Sequence, residues 1–138
     1  MRKTILVVDD DEDLLFCYRK LLENDKTIVY TASNVDEAIA VLQVVKIHLA
    51  ILDYMLPKMT GTELAKIIGN SDPLVKIFFI SGYDEAIEAV KKLDVAVYGL
   101  FRKPVDPVLL EKLALSDDYS EFIHDSGNIP AINLVSNI

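Results

Sequence analysis

The chain has 138 residues, of which 51% are hydrophobic and 26% charged, and its formal net charge is −8 at pH 7. This length fits one domain with a substantial core, and no apolar run approaches the roughly 20 residues that span a bilayer. The acidic balance argues against direct nucleic-acid binding, which relies on clustered lysine and arginine. Because the N-terminus also has no signal-peptide pattern, we expect a soluble, cytoplasmic protein that does not contact membranes.

Apolar, β-rich runs alternate along the chain with segments of helical spacing. Five repeats of strand then helix imply a parallel sheet. The predicted strands are residues 4–8, 27–32, 49–53, 76–81 and 97–102.

Three single residues carry local predictions about the helices. Gly69 is expected to end the third helix, and Pro107 suits the first turn of the fifth, where its missing N–H is not needed. Cys17 lies among apolar residues of the first helix, so a buried structural thiol is expected.

The last 23 residues differ in character from the rest, which suggests one domain over residues 1–115 and a separate extension over residues 116–138. The extension begins with polar and acidic residues and ends with scattered apolar ones. It is too short for a helix-turn-helix domain. A terminal helix with a flexible end, a linker to an effector domain and a docking segment all remain open, because periodicity does not choose among them.

Chemically active side chains stand at the ends of four predicted strands. Ligands of open α/β sheets bind outside the carboxyl ends of the strands, so these side chains are expected to gather. Each fragment alone has an ordinary structural reading, since acids favour helix N-termini and serine before glycine is usually a loop. Their joint occurrence favours a single site, formed by Asp9, Asp10, Asp53, Ser81 and Lys103.

The acids and the lysine suit metal-assisted phosphoryl transfer. A hard cation such as Mg²⁺ or Mn²⁺ takes oxygen ligands, so Asp10 and Asp53 could bind it directly and Asp9 through a water. The cation and Lys103 would neutralise charge on the transferring oxygens. Asp53 could then attack phosphorus and become an aspartyl phosphate.

These residues resemble the receiver domain of bacterial two-component response regulators, over about residues 3 to 115. The family's acidic pair corresponds to Asp9-Asp10, its phosphoacceptor to Asp53, its hydroxyl residue to Ser81 and its lysine to Lys103. The resemblance implies a flavodoxin-like α/β fold, with a doubly wound sheet of five parallel strands in the order 2-1-3-4-5 and five flanking helices.

The resemblance also implies a set of ligands and partners. Mg²⁺ would be bound by Asp10, Asp53 and the backbone carbonyl of Met55, and the phosphoryl group would come from a histidine kinase or phosphotransfer protein. Lys103 would contact that group in the active state, and the Lys103-Pro104 bond would be cis. Such a protein is a switch rather than an enzyme, although it catalyses its own phosphorylation. Its output would be a partner protein or an effector domain, and phosphorylation-dependent homodimerisation would suit the family.

Four further positions bear on how such a switch works. The family's switch aromatic, three residues before the lysine, is Leu100 here, so the output surface is expected to differ from the usual one. Met55 and Tyr83 occupy positions that tune phosphoryl lifetime, and neither readily positions a water, which predicts slow autodephosphorylation. Gly61 is expected in a turn that needs a positive φ.

Two rival functions follow from the same residues. A pseudo-receiver would keep the fold and act as a phosphorylation-independent interaction module; Leu100 favours it, whereas the complete acidic set and Lys103 oppose it. A metal-dependent phosphatase would form the same aspartyl phosphate, but those enzymes carry a second acid at the position of Met55.

Overall fold

The computed structural model describes residues 2–116 and, as backbone, residues 128–130. Within these residues no helix has the length and apolar character needed to cross a bilayer. The elements in chain order are β1 (Lys3–Val8), α1 (Glu12–Leu22), β2 (Thr27–Ala32), α2 (Val35–Val44), β3 (Leu49–Asp53), α3 (Gly61–Ser71), β4 (Lys76–Ser81), α4 (Glu85–Lys91), β5 (Gly99–Arg102), α5 (Pro107–Leu115) and β6 (Asn128–Pro130).

The strands form one sheet in the order β2-β1-β3-β4-β5-β6. The first five are parallel, which confirms the predicted strand order 2-1-3-4-5. β5 begins at residue 99, two residues later than predicted. β6 was not predicted, and it pairs antiparallel with β5. The rest of the extension, residues 117–127 and 131–138, lies outside the described residues.

A hydrophobic core lies on each face of the sheet, because successive strand residues point to opposite faces. Leu6 and Leu100 pack on the face covered by α2, α3 and α4. Ile5 and Phe101 pack on the face covered by α1 and α5. Burial of a large apolar side chain contributes about 1.5–3 kcal/mol, so these two layers hold the strand ends in place.

Side-chain caps fix where four of the helices begin. An N-cap side chain satisfies backbone N–H groups that have no partner within the helix, and contributes about 1 kcal/mol. Pro107 lies in the first turn of α5, as predicted. The capping residues are Asp11 for α1, Asn34 for α2, Thr60 for α3 and Asp106 for α5.

Two local predictions about helices are wrong. Gly69 does not end α3, which continues to Ser71. A Cβ at Gly69 would lie 2.6 Å from Val95 Cγ1, so the glycine makes room for a neighbouring side chain. Cys17 is exposed rather than buried, because the buried stripe of α1 runs through Leu15, Tyr18 and Leu22 and leaves Cys17 outside it.

Candidate phosphoacceptor and metal site

The register of the sheet brings the candidate residues to one edge. Val8, which precedes the acidic pair, is paired with Leu52, which precedes Asp53. Asp53 in turn is paired with Ile80, and Ser81 with Arg102. Neighbouring parallel strands therefore end at the same level, and the side chains that follow them converge.

Three carboxylates form the centre of the site. Asp9, Asp10 and Asp53 each offer an oxygen, and these oxygens all lie within 4.8 Å of one another. Asp9 and Asp53 are buried, whereas Asp10 is exposed. Asp9 Oδ2 is buried without a hydrogen-bond donor of good geometry. Hard divalent cations prefer such oxygen donors, so the residues present fit a site for Mg²⁺ or Mn²⁺.

Lys103 is the cation of this cluster. Its Nζ lies 3.0 Å from Asp9 Oδ2 and 3.2 Å from Asp53 Oδ2. Burial lowers the pKa of the Lys103 ammonium, but the contacts with Asp9 and Asp53 outweigh that effect and raise the pKa above its usual value. The ammonium is therefore charged at neutral pH. The Lys103-Pro104 bond is cis, as the resemblance implies.

Burial also changes the acidity of two other groups. It raises the pKa of Asp53 to about 6, and the charge of Asp9 adds to the increase, while Lys103 and the N–H of Met55 oppose it. Burial and the charge of Asp9 likewise raise the pKa of Tyr18 to about 12. Tyr18 thus stays neutral within the field of the acids. Tyr18 is not among the site residues predicted from the sequence, although a tyrosine hydroxyl in an otherwise apolar helix face is a signal of a polar neighbour.

The hydroxyl of Ser81 is engaged with its own loop. Ser81 Oγ accepts a hydrogen bond from the N–H of Tyr83 at 2.9 Å and donates one to its carbonyl oxygen at 3.3 Å. The side chain of Tyr83 is 51% exposed, and that of Met55 is 45% exposed. Both stand at the rim of the site, where solvent reaches them.

Gly61 has a different role from the predicted one. None of the described glycines has a positive φ; in the loop before α3, Lys58 adopts the left-handed conformation, with φ of 73°. The N–H of Gly61 donates to Tyr54 O at 2.6 Å. A Cβ at Gly61 would lie 2.1 Å from Asp53 O, so the position requires glycine because α3 begins against the end of β3.

Leu100, which stands where the resemblance expects an aromatic residue, is 1% exposed. It packs in the same cluster as Ala86 and Val90 of α4. The structure therefore places this side chain in the core beneath α4, away from solvent.

The strand order and the acids, hydroxyl and ammonium gathered at one edge of the sheet define a receiver-type α/β domain. The comparison with protein families agrees, because the model of the response regulator receiver domain matches residues 5–114. The chain belongs to this family, which serves two-component signal transduction.

Three similar proteins illustrate the relationship. PhoP of Bacillus subtilis strain 168, an alkaline phosphatase synthesis transcriptional regulatory protein, is 34% identical over 107 residues, which are 78% of this chain and 45% of PhoP. An uncharacterized 14.6 kDa protein of Leptolyngbya boryana is 33% identical over 114 residues, covering 79% of this chain and 85% of that protein. The crystal structure of a CheY-like receiver domain protein from Methanospirillum hungatei JF-1 has a TM-score of 0.72 and 32% identity, covering 82% of this chain and 91% of that one. The chain thus spans less than half the length of PhoP.

Proposed function

We propose that this receiver domain is a phosphoacceptor switch, in which Asp53 accepts a phosphoryl group from a histidine kinase or phosphotransfer protein. The observation that carries the proposal is the position of Lys103 Nζ, within 3.2 Å of both Asp9 and Asp53 beside a cluster of three carboxylates. Such a cluster is costly unless cations balance it, and it suits the handling of phosphoryl charge.

Each residue has a proposed role in the transfer. Asp10, Asp53 and the backbone carbonyl of Met55 would hold the Mg²⁺ or Mn²⁺ ion, and Asp9 would act on it through a water. When bound, the ion supplies positive charge that balances the transferring oxygens. A carboxylate oxygen of Asp53 forms the new bond to phosphorus while the phosphorus–nitrogen bond of the phosphohistidine donor breaks.

The switch then follows from the new charge on Asp53. Lys103 contacts the phosphoryl group, and Ser81 exchanges its hydrogen bonds with the Tyr83 backbone for one to a phosphoryl oxygen. Buried Leu100 cannot perform the swing of an aromatic ring, so the face formed by α4, β5 and α5 responds differently from the usual one. This face acts on an output protein or on an effector domain beyond this chain, and phosphorylation-dependent homodimerisation is one such output.

The lifetime of the phosphoryl group depends on the rim of the site. Met55 and Tyr83 carry no acid or amide that would orient an attacking water toward phosphorus. We therefore expect slow autodephosphorylation. A half-life of only seconds, measured by loss of the phosphoryl mass after removal of the donor, would contradict this part of the proposal.

Intact mass after incubation with acetyl phosphate tests the phosphoacceptor role. The wild-type chain should gain one phosphoryl group in the presence of Mg²⁺, and Asp53→Asn should gain none. Asp25→Asn, which changes an exposed acid in the loop after α1, is the matched control and should react like wild type. Absence of the adduct with acetyl phosphate and with phosphohistidine donors would support the pseudo-receiver, which the burial of Leu100 favours.

Thermal unfolding with and without Mg²⁺ tests the metal site separately. The ion should raise the melting temperature of the wild-type chain, because a ligand that binds only the folded state stabilises it. Asp10→Asn should lose most of this increase, whereas Asp25→Asn should keep it. Equal increases in all three proteins would place the ion elsewhere.

A further inference from the structure

The last parallel strand, β5, has a covered edge. Residues 128–130 form β6, which pairs with β5 in the register Gly99↔Pro130, Leu100↔Ile129 and Phe101↔Asn128. An open edge strand presents N–H and C=O groups to any extended segment that reaches it. In this chain a segment from beyond α5 takes that position.

β5 is also the strand that leads to the lysine of the site. Lys103 follows its last residue, Arg102, and Arg102 Nη1 lies 2.5 Å from Asp84 Oδ1 in the loop before α4. The covered edge of β5 therefore lies between α4, which packs on one face of the sheet, and α5, which packs on the other. These are the elements that would respond to phosphorylation of Asp53.

The connection between α5 and β6 is long enough for pairing within one chain. The last turn of α5 is held at the other end of the sheet, because Lys3 Nζ lies 3.1 Å from Leu113 O and Thr27 Oγ1 lies 3.3 Å from Ala114 O. The nine residues of α5 span about 14 Å. Residues 116–127, which lead to β6, can span about 40 Å when extended.

We propose that the edge of β5 is a strand-accepting surface, covered in cis by residues 128–130 and open, once they leave, to the same segment of a second copy of this chain. A second copy necessarily carries a segment that fits this register. Pro130 has no N–H, so the outer edge of β6 is a poor template for a further strand. Exchange between two copies therefore closes as a dimer and does not extend into a growing sheet.

The connection between α5 and β6 sets the protein concentration at which strands are exchanged between two copies. A tethered segment has an effective concentration in the millimolar range, so the cis arrangement dominates at micromolar protein. The wild-type chain should therefore be a monomer at micromolar concentration with a protected β5. If the connection becomes too short to reach β5, pairing in cis is lost and only a second copy can supply the strand.

Amide hydrogen exchange on the full chain tests the cover. Replacing both Asn128 and Ile129 by proline removes every N–H donor of β6, since Pro130 has none. Exchange in the peptide covering residues 98–102 should become about tenfold faster, as expected when a local interaction of this size is lost. Asn128→Ala with Ile129→Ala keeps both backbone N–H groups of the pairing and is the control; it should exchange like wild type. Unchanged protection of residues 98–102 in the Asn128→Pro/Ile129→Pro variant would contradict the pairing of residues 128–130 with β5.

Light scattering on a variant lacking residues 117–124 tests the exchange between copies. The four residues left between α5 and β6 span about 14 Å, which equals the length of α5 and leaves nothing for the sideways step from the helix to the edge of β5. We expect a dimer at micromolar concentration with residues 98–102 protected, and a monomer when the two prolines are added. If the shortened variant is itself a monomer, whether β5 is protected or not, then the edge of β5 does not accept the strand of a second copy and the proposal is wrong. The circular dichroism spectrum of each variant establishes that it has folded.

Discussion

A Cβ atom at Gly61 would lie 2.1 Å from the carbonyl oxygen of Asp53. The first residue of α3 thus lies directly against the end of the strand that carries the proposed phosphoacceptor. Any side chain at Gly61 must push α3 away from β3, and because Asp53 is the last residue of β3, the displacement reaches the carboxylate cluster.

Gly61→Ala is therefore expected to destabilise the protein by about 1–3 kcal/mol, the usual cost of inserting atoms into a packed position. It should also slow formation of the phosphoryl adduct. Urea unfolding and intact mass measure the two effects. Gly82→Ala is the matched control for stability, because a Cβ there meets only Lys103 Cβ at 3.8 Å, an ordinary contact. Equal unfolding midpoints for the two variants would contradict the close approach.

Asp53→Asn should stabilise the metal-free protein in a pH-dependent way. Burial raises the pKa of Asp53 from its usual 3.8 to about 6, so between these values the folded protein keeps a proton that the unfolded chain has released. Stability therefore falls as pH rises through this window. Asparagine carries no charge. The free energy of unfolding of Asp53→Asn should therefore exceed that of the wild-type chain by on the order of 1 kcal/mol at pH 8 and by about half as much at pH 5.

Urea unfolding in EDTA at the two pH values measures this gain, and Asp25→Asn provides the comparison with an exposed acid. A stabilisation by Asp53→Asn that is larger at pH 5 than at pH 8 would reverse the predicted sign. The burial of the ionised carboxyl would then not be what limits stability at this site.

Leu100→Tyr should destabilise the protein rather than restore an aromatic switch. Leu100 is 1% exposed beneath α4, so the larger ring overfills the core at a cost of about 1–3 kcal/mol. Leu115→Tyr is the control, because Leu115 is 75% exposed, and it should change stability by less than about 0.5 kcal/mol. A Leu100→Tyr variant as stable as the control would mean that the space beneath α4 already admits a ring.

Lys3→Met should loosen the end of α5. Lys3 Nζ lies 3.1 Å from Leu113 O and 3.3 Å from Ala114 O, so a cation stabilises carbonyl groups that have no partner within the helix. We expect a loss of about 1–2 kcal/mol on urea unfolding. Lys26→Met, at an exposed lysine before β2, should have little effect. Equal losses in both variants would show that the loss reflects net charge alone.

The parallel strands and the composition of the site were predictable from the sequence. Apolar runs that stop at a charged or hydroxyl residue mark strand ends, and the alternation of strand and helix implies a parallel sheet. The role of Gly61 was not predictable, since a glycine before a helix suits a turn as well as a close approach. Gly69 was misread for the same reason: Val95, the side chain that requires it, is distant in the sequence. The exposure of Cys17 depended on which stripe of α1 faced the core.

The sequence by itself determined the alternation of the five parallel strands with the five helices, the carboxyl ends of those strands and the residue types placed there. These properties depend on neighbouring residues, because backbone periodicity and capping act over a few positions. Only the tertiary structure decided that Lys103 Nζ reaches Asp53, 50 positions earlier in the chain, and that residues 128–130 cover β5. Distances of this kind arise from the register and packing of whole strands and helices, which are set by the combined burial of many side chains and not by any local pattern.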